Sequence, residues 1–162
     1  MKNLSKLALS LIAVGVFAHA NASTITVSTG FSNAGAQASA AAYQSVVNAA
    51  VATPGAGYGS TTIASYDNVN NSGLFGSGSN IAFKSVINFG VSAADAGAWS
   101  FRTGVDFGKG GALFLDGVAL DFKSNDMWWA GNYNNGSQFL SGSSSLSAGN
   151  HTLSIFGLEG CC

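Results

Sequence analysis

Charge is scarce in this chain. Lys, Arg, Asp and Glu together make up 8% of its 162 residues. No basic stripe can form from so few cations, which excludes nucleic acid as a partner on electrostatic grounds. Cysteine is nearly absent: Cys161 and Cys162 stand side by side at the end of the sequence. A disulfide needs Cα atoms roughly 4.4–6.8 Å apart with suitably aimed Cβ vectors, so neighbours cannot staple a fold in the ordinary way. The pair can form a strained vicinal ring, join other molecules, or await residues beyond it. Histidine occurs twice, as His19 and His151. A zinc centre needs three or four His, Cys or carboxylate ligands, and two adjacent cysteines with one distant histidine match that poorly. A serine or thiol hydrolase would rest on His151 alone as base, and no Gly-x-Ser-x-Gly elbow is present. The expectation is therefore a protein that is not an enzyme. Proline occurs once, as Pro54. No repeat of fixed period runs through the chain, which argues against a solenoid.

What is present begins with an export signal. Lys2 and Lys6 precede a mostly apolar stretch over residues 7–18, and Ala20-Asn21-Ala22 offers a small-x-small cleavage site. A dozen apolar residues suit a signal core and fall short of the roughly 20 that span a bilayer. Residues 1–22 are read as a signal peptide and residues 23–162 as one domain. Beyond the leader, Lys84, Arg102, Lys109 and Lys123 face seven carboxylates, a balance of about −3. Gly, Ser, Asn and Ala supply the surface, a composition that suits an exported all-β protein.

The pattern along the chain predicts short strands. Thr24-Ile25-Thr26-Val27-Ser28 alternates and is β-branched, so it reads as a first strand. Residues 37–51 are Ala-rich with Tyr43, Val46, Val47, Ala50 and Val51 at helical spacing, ended by Pro54-Gly55. Residues 61–66 read as a short strand and 68–80 as a loop. Strands follow over 81–91 and 98–105, the latter placing Trp99, Phe101 and Val105 on one face and Ser100 and Arg102 on the other. Asp116-Gly117 between apolar runs predicts a hairpin with a type I′ turn. Residues 124–137 read as an Asn-rich loop, 137–140 as a returning strand, 142–147 as a serine-rich turn and 151–158 as the last strand. The sum is a mainly β fold, an antiparallel β-sandwich with one Ala-rich helix near its start.

Two groups of residues are candidate sites. Trp128, Trp129 and Tyr133, beside Asn132, offer flat rings bordered by amides, the chemistry of a sugar platform. Adjacent residues of an extended chain point opposite ways, so one tryptophan can plug the sandwich while the other is exposed. For a metal, calcium suits best, since it takes six to eight oxygens. Its ligands would come from Asp106, Asp116 and Asp126, with Asp121 nearby. The competing reading is that Asp116 fills a turn, Asp106 starts one and the others are solvated. The acceptor sequences at Asn70, Asn135 and Asn150 read as incidental.

Ala98-Trp99-Ser100-Phe101-Arg102, Gly104-Val105-Asp106-Phe107-Gly108 and Gly110-Gly111-Ala112-Leu113-Phe114-Leu115-Asp116-Gly117 resemble a protective-antigen-type β-sandwich over residues 81–162, as does the strand entry Ala148-Gly149-Asn150-His151-Thr152-Leu153. The ending Gly157-Leu158-Glu159-Gly160-Cys161-Cys162, with Asn125-Asp126-Met127-Trp128-Trp129, is similar more narrowly to CCXG-type PEP-CTERM exported proteins of Gram-negative bacteria. That group continues Cys-Cys-x-Gly and ends in a sorting tail, neither of which follows here. The resemblance therefore implies a chain truncated before its last strand and anchor. It also implies passage through the periplasm to the cell surface or extracellular matrix, and contact with polysaccharide, in some relatives through calcium. A purely structural matrix component without a specific ligand is the alternative, and a thiol- or serine-dependent hydrolase a remote one. Fold alone does not carry function.

Overall fold

The computed structural model describes residues 24–161. The leader read over residues 1–22, Ser23 and Cys162 lie outside these. Eight strands and two short α-helices follow in the order β1 (Thr24–Phe31), α1 (Ala40–Ala52), β2 (Ser60–Ile63), α2 (Asn71–Phe75), β3 (Ser79–Val91), β4 (Gly97–Gly104), β5 (Gly111–Leu115), β6 (Val118–Lys123), β7 (Phe139–Leu146) and β8 (Gly149–Cys161). Every pairing is antiparallel. Six strands form one sheet in the order β2-β1-β3-β8-β5-β6, and β4 pairs with β7 as a separate ribbon.

The central sheet is covered on both faces. Side chains alternate across a strand, and β3 shows the consequence: Ala82 faces one way, Ile81 and Phe83 the other. Ala82, Ala112, Phe114, Phe156 and Leu158 meet Tyr43 and Val47 of α1. On the opposite face Val27, Phe83, Leu113 and Ile155 meet Val105, Phe107, Met127 and Leu140. Further along, Val91 and Leu115 meet Leu146, with Phe89, Trp99 and Phe101 packed against them. All five residues of β5 are buried as a result. The molecule is thus a sandwich-like β fold of unequal layers, with a helix laid on the outside of the larger sheet.

Local chemistry explains the element boundaries. Ser39 caps α1 by accepting from Ala42 N, 3.2 Å away, which satisfies a helix-end donor. Tyr43 carries its hydroxyl through the core to the Lys109 carbonyl, 2.7 Å away. The β5–β6 turn has positive φ at both Asp116 (49°) and Gly117 (80°), the backbone that a type I′ turn demands. Pairing shifts by one residue between Leu113 and Phe114. This bulge lets Leu120 pack against Gly142 of the ribbon while Asp121, ion-paired to Lys123 at 2.6 Å, accepts from Ser141 N at 3.0 Å.

Three expectations are corrected. Residues 68–80 are not a plain loop: Asn70 caps the short α2, and the buried Asn71 side chain donates to the Gly57 and Ser77 carbonyls and accepts from Thr29 Oγ1. The serine-rich stretch 142–147 is not a turn, since β7 runs through it to Leu146. Leu140 and Leu146 bury on one face, while Ser141 and Ser143 lie opposite Arg102 and Ser100 of β4. Asp121 is not simply solvated, being held by Lys123 and the ribbon backbone.

Candidate functional site

The site is built on the connection between β6 and β7. Its root is fixed by an isolated bridge, with Phe107 N donating to the Met127 carbonyl (2.9 Å) and Met127 N to the Phe107 carbonyl (3.2 Å). Met127 is fully buried. Alternation then sends Trp128 outward, and its side chain is 65% exposed. Trp129 turns back toward the protein. Its ring lies on Gly104 at the end of the ribbon, where an added Cβ would meet it at 2.2 Å. Tyr133 packs beside it with centroids 4.7 Å apart and rings tilted by 51°, meets Phe139 edge-on at 5.0 Å, and receives the Arg102 guanidinium over its face at 4.5 Å. The two tryptophans therefore divide the roles that adjacency predicted: Trp129 and Tyr133 cap the ribbon, and Trp128 faces solvent.

Trp128 forms one wall of a groove of about 440 Å³, lined also by Asp126, Ala130, Asn132, Asn135 and Gln138. That volume lies within the range of small-ligand sites. The walls are held by the loop's own hydrogen bonds. Asn125 Nδ2 donates to the Ser137 carbonyl (3.0 Å), and the Gln138 side-chain oxygen accepts from Trp128 N. Of the residues expected at a sugar platform, the structure brings Trp128 and Asn132 into the groove, while Trp129 and the exposed Tyr133 do not line it. Gln138 was not legible beforehand, because nothing in its sequence neighbourhood marks it.

Asp116 does not join the other two carboxylates expected to share a calcium ion. Asp116 sits in the β5–β6 turn, where it exchanges backbone bonds with Thr152 (Asp116 N to the Thr152 carbonyl and Thr152 N to Asp116 Oδ1, each 2.8 Å). The Phe107–Met127 bridge and the Gly108 N bond to Glu159 bring Asp106, Asp126 and Glu159 to one end of the sheet, and desolvation, then the charges of Glu159 and Asp126, push the Asp106 carboxyl above the ordinary carboxylate range. Thr152 and Glu159 are seven residues apart on β8, roughly 23 Å at 3.3 Å per residue. Asp116 thus lies at the opposite end of the sheet from Asp106 and Asp126. Among the described residues no three His, Cys, Asp or Glu side chains stand where they could hold a metal ion. Glu159 is instead a backbone clamp, accepting from Gly108 N (2.5 Å), Gly160 N (2.6 Å) and Cys161 N (3.0 Å).

His151 is also spoken for. Its Nδ1 lies 2.7 Å from Asp116 Oδ2 and its Nε2 lies 2.9 Å from the Ser147 carbonyl oxygen. Both neighbours are acceptors, so the protonated ring, with a donor on each nitrogen, satisfies both contacts. Asp116 first, then the Ser147 carbonyl, raise its pKa above the usual 6.5, and the same bond lowers that of Asp116. The side chain is 9% exposed and stacks against Phe89 at 5.8 Å. Cys161, exposed at the far end of β8 opposite Ser79, is ten residues away along one strand, roughly 33 Å, so no thiol–imidazole pair forms. Cys162 lies outside the described residues. No protein-family model, no curated protein and no solved structure matches the chain.

Proposed function

We propose that this protein is an exported, non-enzymatic surface or matrix module that contacts polysaccharide through the Trp128 groove. One observation carries the reading: a tryptophan 65% exposed, walling a groove that Asp126, Asn132, Asn135 and Gln138 also line, on a hydrogen-bonded loop. Sugar C–H faces stack on such rings while amides meet hydroxyls. The signal-like leader, the low charge and the resemblance to PEP-CTERM exported proteins support the destination. Among the described residues no helix is long and apolar enough to cross a membrane.

The test is co-sedimentation with insoluble polysaccharides. Trp128→Ala is expected to lower bound protein at least about tenfold, as truncation of an aromatic anchor does, with an unchanged melting temperature. Equal sedimentation of the variant and wild type refutes the reading. A second reading, a purely structural matrix component, is favoured by Val118 and Phe122, both exposed on β6 at the sheet edge. Such edges invite pairing with another chain.

A further inference from the structure

Most polar atoms of the groove are used by the loop itself. Gln138 Nε2 donates to the Asp126 carbonyl and to Ser137 Oγ, besides the Trp128 bond already described. Asn132 donates to the Ala130 carbonyl and accepts from Asn134 N. Asn135 Oδ1 accepts from Ser137 N and Oγ. Among the described residues, three side-chain groups of the groove have no protein partner: the Asp126 carboxylate, the Asn135 Nδ2 amide and the Trp128 indole N–H.

The carboxylate is also uncompensated in charge. The ion pairs among the described residues are Lys123–Asp121 and His151–Asp116, and neither involves Asp126. Arg102 is turned onto the Tyr133 ring. Asp106, next to the Phe107–Met127 bridge, adds a second carboxylate near Asp126. A neutral hydroxyl set against Asp126 makes an ordinary hydrogen bond, an ammonium makes a charge-assisted one, and a ligand carboxylate meets repulsion. An indole face likewise favours a cation over a neutral group.

From this complementarity we infer that the groove prefers an amino-sugar polymer, with a pyranose ring on Trp128, a protonated ring amine at Asp126 and a hydroxyl accepting from Asn135 Nδ2. The inference rests on the polysaccharide reading above and names its sugar class. It is tested by calorimetric titration with short oligomers of glucosamine, N-acetylglucosamine and mannuronate, at mildly acidic pH where the amine is protonated. The glucosamine oligomer should bind tightest and the mannuronate oligomer weakest. Asp126→Asn should weaken the glucosamine oligomer roughly fivefold and change the N-acetylglucosamine oligomer by less than about twofold. Added salt should erode the preference. Equal affinity for all three oligomers, or a glucosamine preference that survives Asp126→Asn, overturns the amino-sugar assignment and leaves polysaccharide contact standing. Failure of the wild-type protein to bind any of the three, or any insoluble polysaccharide, overturns both.

Discussion

At the scale of single residues, the fold spends its few charged groups on backbone. Glu159 gathers three N–H groups, Asp121 reaches across to Ser141, and Asp116 holds His151 and Thr152 together. The His151–Asp116 contact joins the β5–β6 turn to the start of β8, and its pH dependence follows from the two shifts. The raised pKa of His151 gives a contribution present in full below about 6.5 and lost as pH rises through the folded value. The lowered pKa of Asp116 gives one present above about 3.9 and lost as pH falls through its folded value. The contact is therefore strongest from about pH 4 to about pH 6.5. Thermal melts should show wild type losing stability from mildly acidic to alkaline pH by more than His151→Gln does. Parallel profiles for the two proteins would mean that the histidine is not held as a cation. The sequence marked Asp116 as a turn residue or a calcium ligand and not as the partner of His151, which is 35 positions away.

At the scale of elements, α1 lies close on the sheet because β1 offers it no side chain at Gly30. A Cβ there would sit 2.2 Å from the Ala50 carbonyl oxygen, which is backbone and cannot rotate aside. Gly30→Ala should cost about 1–3 kcal/mol, the usual range for overpacking, and lower the melting temperature. Gly35→Ala, with no atom within 4 Å of the added Cβ, should not. Equal melts for the two variants would mean that the helix is not docked as described. Strands with β-branched alternation and the Asp-Gly hairpin were legible in the sequence because their signals are local. The helix was legible too, with its start displaced from 37 to Ala40 by the Ser39 cap. β7 was legible only at its start, in the strand read over 137–140, since Gly142, Ser143, Ser144 and Ser145 look like a turn until β4 pairs with them. α2 was hidden for a similar reason: its position depends on Asn71 reaching the Gly57 and Ser77 carbonyls.

At the scale of the whole molecule, two layers of unequal width leave the ends of the short ribbon to be closed by the β6–β7 connection. Trp129 and Tyr133 make that closure, and Trp128 is left outside with the groove it walls. Adjacency predicted that the two tryptophans would part. Which of them faces solvent depends on Met127 entering the core and on Gly104 leaving room for a ring, and both are tertiary facts. The supposed calcium ligands looked near in sequence, but the chain carries Asp116 to the far end of β8. The most direct test of the account uses the three indole N–H resonances as reporters during a glycan titration. Trp99 donates to the Asp95 carbonyl at 2.9 Å, Trp129 lies stacked on the ribbon, and Trp128 is open. The account predicts that the Trp128 signal moves most and saturates with the ligand, while the Trp99 signal stays in place. A titration in which binding moves Trp99 and leaves Trp128 unchanged would contradict it.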